Sequence, residues 1–93
     1  MSWTFQSNRD LSRFLEYLRD ESRAKNANQV ADAMAYVLES AWTTSSEFLG
    51  EAKRALVSVE STVKSLFNSE DHQALKAAVA AIDAAWKAAN EGH

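Results

Sequence analysis

Apolar residues recur along this chain at helical spacing, and polar residues fill the positions between them. Leu11, Phe14, Leu15 and Leu18 stand at i, i+3, i+4 and i+7, the stripe that an amphipathic helix buries. The outward positions carry Arg9, Arg13, Glu16, Arg19, Asp20, Glu21, Arg23 and Lys25. Among these, Glu16–Arg19, Asp20–Arg23 and Glu21–Lys25 have the spacing of intrahelical ion pairs. Ser7 with Asp10 three residues on is a weak capping box that starts this helix. Asn26-Ala27-Asn28 reads as a turn, because asparagine tolerates left-handed dihedrals and can cap the next helix.

The period resumes at Val30, Met34, Val37, Leu38 and Ala41. Ala31, Ala33, Ala35, Tyr36 and Trp42 spread apolar character around most of this second segment, which predicts a central helix covered on several sides. The third stripe runs Phe48, Leu49, Ala52, Leu56, Val59, Val63 and Leu66, with Glu60–Lys64 on the wet face. Leu75, Val79, Ile82 and Trp86 form the fourth, among nine alanines that would let a neighbour approach closely on two faces. Glu70 and Asp71 open it where the helix dipole favours acids. Asn68 is expected to close the third helix in a left-handed conformation, Ser69 to cap the fourth, and Gly92 to end it.

These elements predict an all-α protein, a small antiparallel bundle of four helices in one domain spanning 1–93. Residues 1–7 form an N-terminal arm, and the helices cover about 8–25, 28–43, 46–67 and 70–90. Thr43-Thr44-Ser45-Ser46 decides between this and an alternative. Four hydroxyl side chains weaken a helix, and Thr44 with Glu47 is a capping box in front of Phe48 and Leu49. The apolar phase nevertheless runs on across this stretch, so three helices with one long bent central helix also satisfy the pattern.

Composition narrows the function. A chain of 93 residues holds one domain with a modest core. With no cysteine, disulfides, thiolate zinc sites and cysteine nucleophiles are excluded; with no proline, every helix break must come from asparagine, serine and threonine. Ten basic against thirteen acidic residues give a net charge of −3, the wrong sign for nucleic-acid binding. No apolar run approaches the roughly 20 residues that span a bilayer. Residues 1–10 lack the basic and apolar regions of a signal peptide, so a cytoplasmic protein is expected.

Catalytic chemistry is poorly served, and no enzyme is expected: no catalytic residue, no metal ligand set and no cofactor site is assigned. Neither His72 nor His93 follows a glutamate by three residues, so a bundle-type di-iron site is missing its motif. Glu70, Asp71 and His72 are adjacent on a helix and splay by about 100° each, which predicts a charged, solvated helix start. A metal or proton-transfer site at His72 is the remote alternative. Glu47 and Glu51 form an i, i+4 acid pair expected to be solvated. Gly50 and Gly92 cannot build a phosphate loop, and Gly50, inside the third helix, implies close packing near Trp42 or a neighbouring backbone.

The aromatic residues point instead to binding. Trp42 and Trp86 are read as core anchors or, for Trp86 beside its alanines, as part of a hydrophobic patch for a partner. Trp3 and Phe5 either close the end of the bundle or exchange onto a second protomer. The expected role is protein–protein interaction, including homodimerisation through the second and fourth segments, with Trp3, Phe5, Tyr36, Trp42 and Trp86 as candidate interface residues. The alternative is an acidic inhibitor or immunity-type protein that occludes a basic partner with Asp32 and Glu39, the two acids of the base-free second segment.

Overall fold

The computed structural model describes residues 3–91. Four helices span them, α1 (Asn8–Ala24), α2 (Asn28–Glu39), α3 (Ser45–Leu66) and α4 (Ser69–Glu91), with no strand among the described residues. α1 packs on α2, α2 on α3 and α3 on α4. Pairs between α3 and α4 run in opposite directions: Gly50 faces Trp86, Lys53 Nζ reaches Asp83 at 2.6 Å, and His72 Nε2 lies 3.2 Å from Glu60. The two helices are therefore antiparallel.

Each helix lines the core with its expected stripe. Phe14, Leu15 and Leu18 of α1, Val30, Met34 and Val37 of α2, Leu56 and Val63 of α3, and Leu75 and Ala78 of α4 are almost wholly excluded from solvent. Ser22 is also buried, its hydroxyl without a hydrogen-bond partner. The arm shields the side of the core where α1 faces α4. Trp3 meets Phe14 edge-on at 5.1 Å and lies 5.5 Å from Tyr17, and Phe5 meets Phe14 edge-on at 5.5 Å. Phe5 also borders a crevice of about 120 Å³ shared with Leu11 and with Ala78 and Ile82 of α4. Trp3 and Phe5 thus pack against the core of their own chain.

The breaks follow local hydrogen bonding. Ser7 Oγ accepts from the Asp10 amide and starts α1; Asn26 adopts φ 60° in the first turn. Asn28 does not cap α2, since the cap position is Ala27, which offers no side-chain acceptor. The helix expected to reach residue 43 ends at Glu39. Ser40 is extended and bonds back to the Tyr36 carbonyl through both its amide and its hydroxyl, while the Trp42 indole N–H donates to the Val37 carbonyl at 2.9 Å. Carbonyls left open by the helix end are satisfied without another turn. Thr44, also extended, accepts from the Glu47 amide and starts α3, so the long bent helix does not form. At the next corner Phe67 is extended and Asn68 Oδ1 accepts from the Asp71 amide at 2.8 Å. Asn68 therefore caps α4, one residue earlier than the expected Ser69 cap, and does not adopt the left-handed conformation. The expected cap at Gly92 lies outside the described residues.

Three stripe residues, Ala41, Leu66 and Trp86, are exposed. Leu66 is half exposed because the chain turns after it, and Phe67 takes the inner position with the Lys25 ammonium 5.4 Å over its ring. Trp86 is 42% exposed. α3 and α4, with 22 and 23 residues, are each about 33–35 Å long, against about 18 Å for the 12 residues of α2. From Asp83 to Ala89 every residue of α4 is exposed.

Candidate protein-interaction surface

Three of the five candidate aromatic residues gather on one face. The outer side of α2 carries Asp32, Tyr36 and Glu39, all exposed, with Tyr36 57% exposed between the two acids. The Trp42 ring meets Tyr36 edge-on, their centroids 5.9 Å apart. Holding the indole N–H on Val37 fixes this ring over the end of α2, so the bond that terminates the helix also orients the tryptophan. Beyond it, Trp42 and Trp86 border one shallow hollow of about 270 Å³ with Gly50, Glu47, Glu51 and Arg54. On its other side Trp42 borders a second hollow lined by Asn8, Ser12 and Phe48.

Gly50 is the residue that brings α3 against Trp86. A Cβ there would lie 3.3 Å from Cζ3 and 3.4 Å from Cη2 of the indole. The close approach expected for Gly50 is therefore made to the Trp86 side chain. Because that ring is 42% exposed, it has room to tilt outward. Gly50→Ala is expected to stabilise the fold by about 0.5–1 kcal/mol through helix propensity, with a shift in tryptophan emission as Trp86 moves. A loss of stability on denaturant unfolding would show instead that the ring is held rigidly.

The charge around these rings has one sign over a long stretch. Between Lys25 and Lys53 there is no lysine, arginine or histidine, and four acids occur: Asp32, Glu39, Glu47 and Glu51. The ten bases and the other nine acids of the chain nearly cancel. Glu47 accepts from the Thr43 hydroxyl at 2.7 Å, and Glu51 lies 3.9 Å from Arg54, whose side chain is 82% exposed. Arg19, expected to pair with Glu16, contacts Asp20 at 3.0 Å, and Glu60, expected to pair with Lys64, faces His72.

The Glu70-Asp71-His72 stretch is not the solvated helix start that adjacency predicts. Asp71 is 7% exposed, and both carboxylate oxygens lie 3.0 Å from the Tyr17 hydroxyl, which donates to them. Desolvation first, and then this bond, push the Tyr17 phenol up from 10.0 to about 12. His72 turns to Glu60 on α3, and Asp71 to Tyr17 on α1, so the two side chains diverge. Among the described residues no three His, Cys, Asp or Glu side chains gather as a metal site. The arrangement ties the start of α4 to α1 and α3. Tyr17 and Asp71 are 54 residues apart, and no local pattern in the sequence joins them.

Among the described residues no helix is long and apolar enough to cross a membrane. No known family model, curated protein or solved structure matches the chain at a significant level.

Proposed function

We propose that this protein acts by binding another protein, without catalysis, through the face formed by Tyr36, Trp42 and Trp86. The observation that carries the reading is that Trp42, from the α2–α3 corner, meets exposed Tyr36 of α2 edge-on and borders with Trp86 of α4 the hollow beside Gly50. Tyrosine and tryptophan exposed together on a rigid scaffold have the composition of an interface centre, where large flat side chains gain contact area at little entropic cost. Trp3 and Phe5, packed against Phe14, are assigned to the fold instead.

A second copy of the chain is the weaker occupant. A two-fold contact through this face sets one acidic surface, with Asp32, Glu39, Glu47 and Glu51, against an identical one, and like charges brought together oppose association. The cytoplasmic setting expected from composition belongs to the same proposal.

Affinity capture from the native host, with the wild type beside Tyr36→Ala/Trp86→Ala, tests the face. A partner retained by the wild type and lost from the variant is the expected result. Identical captured sets, with the variant folded by circular dichroism, would remove this face from consideration.

A further inference from the structure

Resting on that reading, we infer that the occupant of the Tyr36–Trp42–Trp86 face is a basic amphipathic segment of another protein, with a cationic side chain seated in the hollow between Trp42 and Trp86. Charge complementarity carries the inference. Apart from Trp86 and Arg54, the residues of the face come from the base-free stretch between Lys25 and Lys53, which carries four acids. Asp32 and Glu39 flank Tyr36 on α2, and Glu47 and Glu51 border the hollow itself.

The hollow fits that side chain chemically. An arginine or lysine against an indole face is attracted by the ring quadrupole, and a guanidinium can stack on the ring while it hydrogen-bonds a carboxylate. Gly50 lets the Trp86 indole lie close on α3, which sets that ring beside Glu47 and Glu51 at the edge of the hollow. Arg54, the one base on the rim, is long, 82% exposed and 3.9 Å from Glu51, so an incoming cation displaces it at little cost. Ala89, exposed and three residues after Trp86 on the same side of α4, adds apolar area beside the ring for the uncharged side of the segment. Acidic ligands, nucleic acid and anionic membranes are repelled by the same charges.

The test uses the full chain and two probe peptides of about four helical turns, one patterned with leucine and arginine, the other identical but with glutamate for arginine. Tryptophan emission reports binding. The arginine peptide is expected to bind saturably and to lose affinity as salt rises from about 0.05 to 0.5 M. The glutamate peptide is expected not to bind. Trp86→Ala and, separately, Glu47→Gln/Glu51→Gln are each expected to weaken the arginine peptide about tenfold or more. The double glutamine variant alters only rim side chains, so it keeps the test decisive if Trp86→Ala unfolds.

Equal binding of both peptides, no binding of either, or indifference to the glutamine changes would overturn the basic assignment. If the captured partner is still lost from Tyr36→Ala/Trp86→Ala in any of those cases, the interaction face survives and only its occupant was misassigned. Light scattering that shows a dimer dissolved by Trp86→Ala would replace the basic segment with a second copy. Arginine-peptide binding untouched by both variants would sink the face and the occupant together.

Discussion

Phe14→Ala is expected to lower stability by about 3–5 kcal/mol, the usual cost of removing a fully buried phenylalanine. The site is severe because Phe14 is 0% exposed and contacts three other rings: Trp3 at 5.1 Å, Phe5 at 5.5 Å and Tyr17 at 6.3 Å. Without it the arm loses the surface on which both of its aromatic residues rest. A domain this small has roughly 5–15 kcal/mol in total, so the variant gives up a large share of it. At about 4–8 °C per kcal/mol, the thermal midpoint falls by at least about 12 °C. The near-ultraviolet circular dichroism of the packed rings should weaken while helical content persists at low temperature. A loss below about 1 kcal/mol would mean that the neighbouring rings collapse into the space, and that the arm does not depend on Phe14.

Tyr17→Phe has the second large effect, and it carries a pH signature. The substitution removes the hydroxyl donated to both oxygens of the buried Asp71. Leaving a buried acceptor without its donor costs about 1–3 kcal/mol. The phenol is raised from 10.0 to about 12 in the folded chain, so the fold holds this proton more tightly than the unfolded chain does. The resulting stabilisation is complete below pH 10 and is lost as pH rises from 10 toward about 12. The wild type should therefore be more stable than Tyr17→Phe at neutral pH, with the gap closing across that alkaline interval. Urea unfolding of the pair at several pH values reads the difference directly, and titrations common to both chains cancel. A gap that stays constant through pH 12 would exclude the Tyr17–Asp71 bond as its source.

The two substitutions probe different levels of legibility. Phe14 was visible as a core residue from its place in a stripe, because a helix on a core needs apolar side chains every three or four positions. The Tyr17–Asp71 bond was not, since it joins α1 to α4 across 54 residues and depends on where two helices lie side by side. Asp71 looked like an ordinary acid at a helix start. In the fold it is buried, and the Tyr17 hydroxyl brought to it by α1 helps to offset the cost of that burial. His72 likewise turns to Glu60 because α3 runs antiparallel beside α4.

The proposed binding face shows the same division. Tyr36, Trp42 and Trp86 were marked as candidate interface residues by their chemistry alone, as were Trp3 and Phe5. Sequence spacing placed Trp42 inside a helix and Trp86 on a buried stripe. The Trp42 indole instead ends α2 by donating to Val37, and the unequal helix lengths leave Trp86 on exposed turns. Glu47 and Glu51 were read only as a solvated pair, and gain meaning because Trp86 comes across to Gly50 beside them.

By itself the sequence determined the helical class and most of the core and marked the three stretches where a corner could fall, because these follow from periods and caps within a few residues; it left open whether the second of those stretches breaks the helix or bends it. It also determined that the base-free stretch carries a concentrated negative charge. Tertiary structure alone decided which residues at the ends of the stripes stay exposed, where Trp3 and Phe5 pack, and that Asp71 is buried. It alone brought Tyr36, Trp42 and Trp86 onto one surface. Those outcomes depend on relative helix length and on contacts between residues far apart in the chain, and no local periodicity records either.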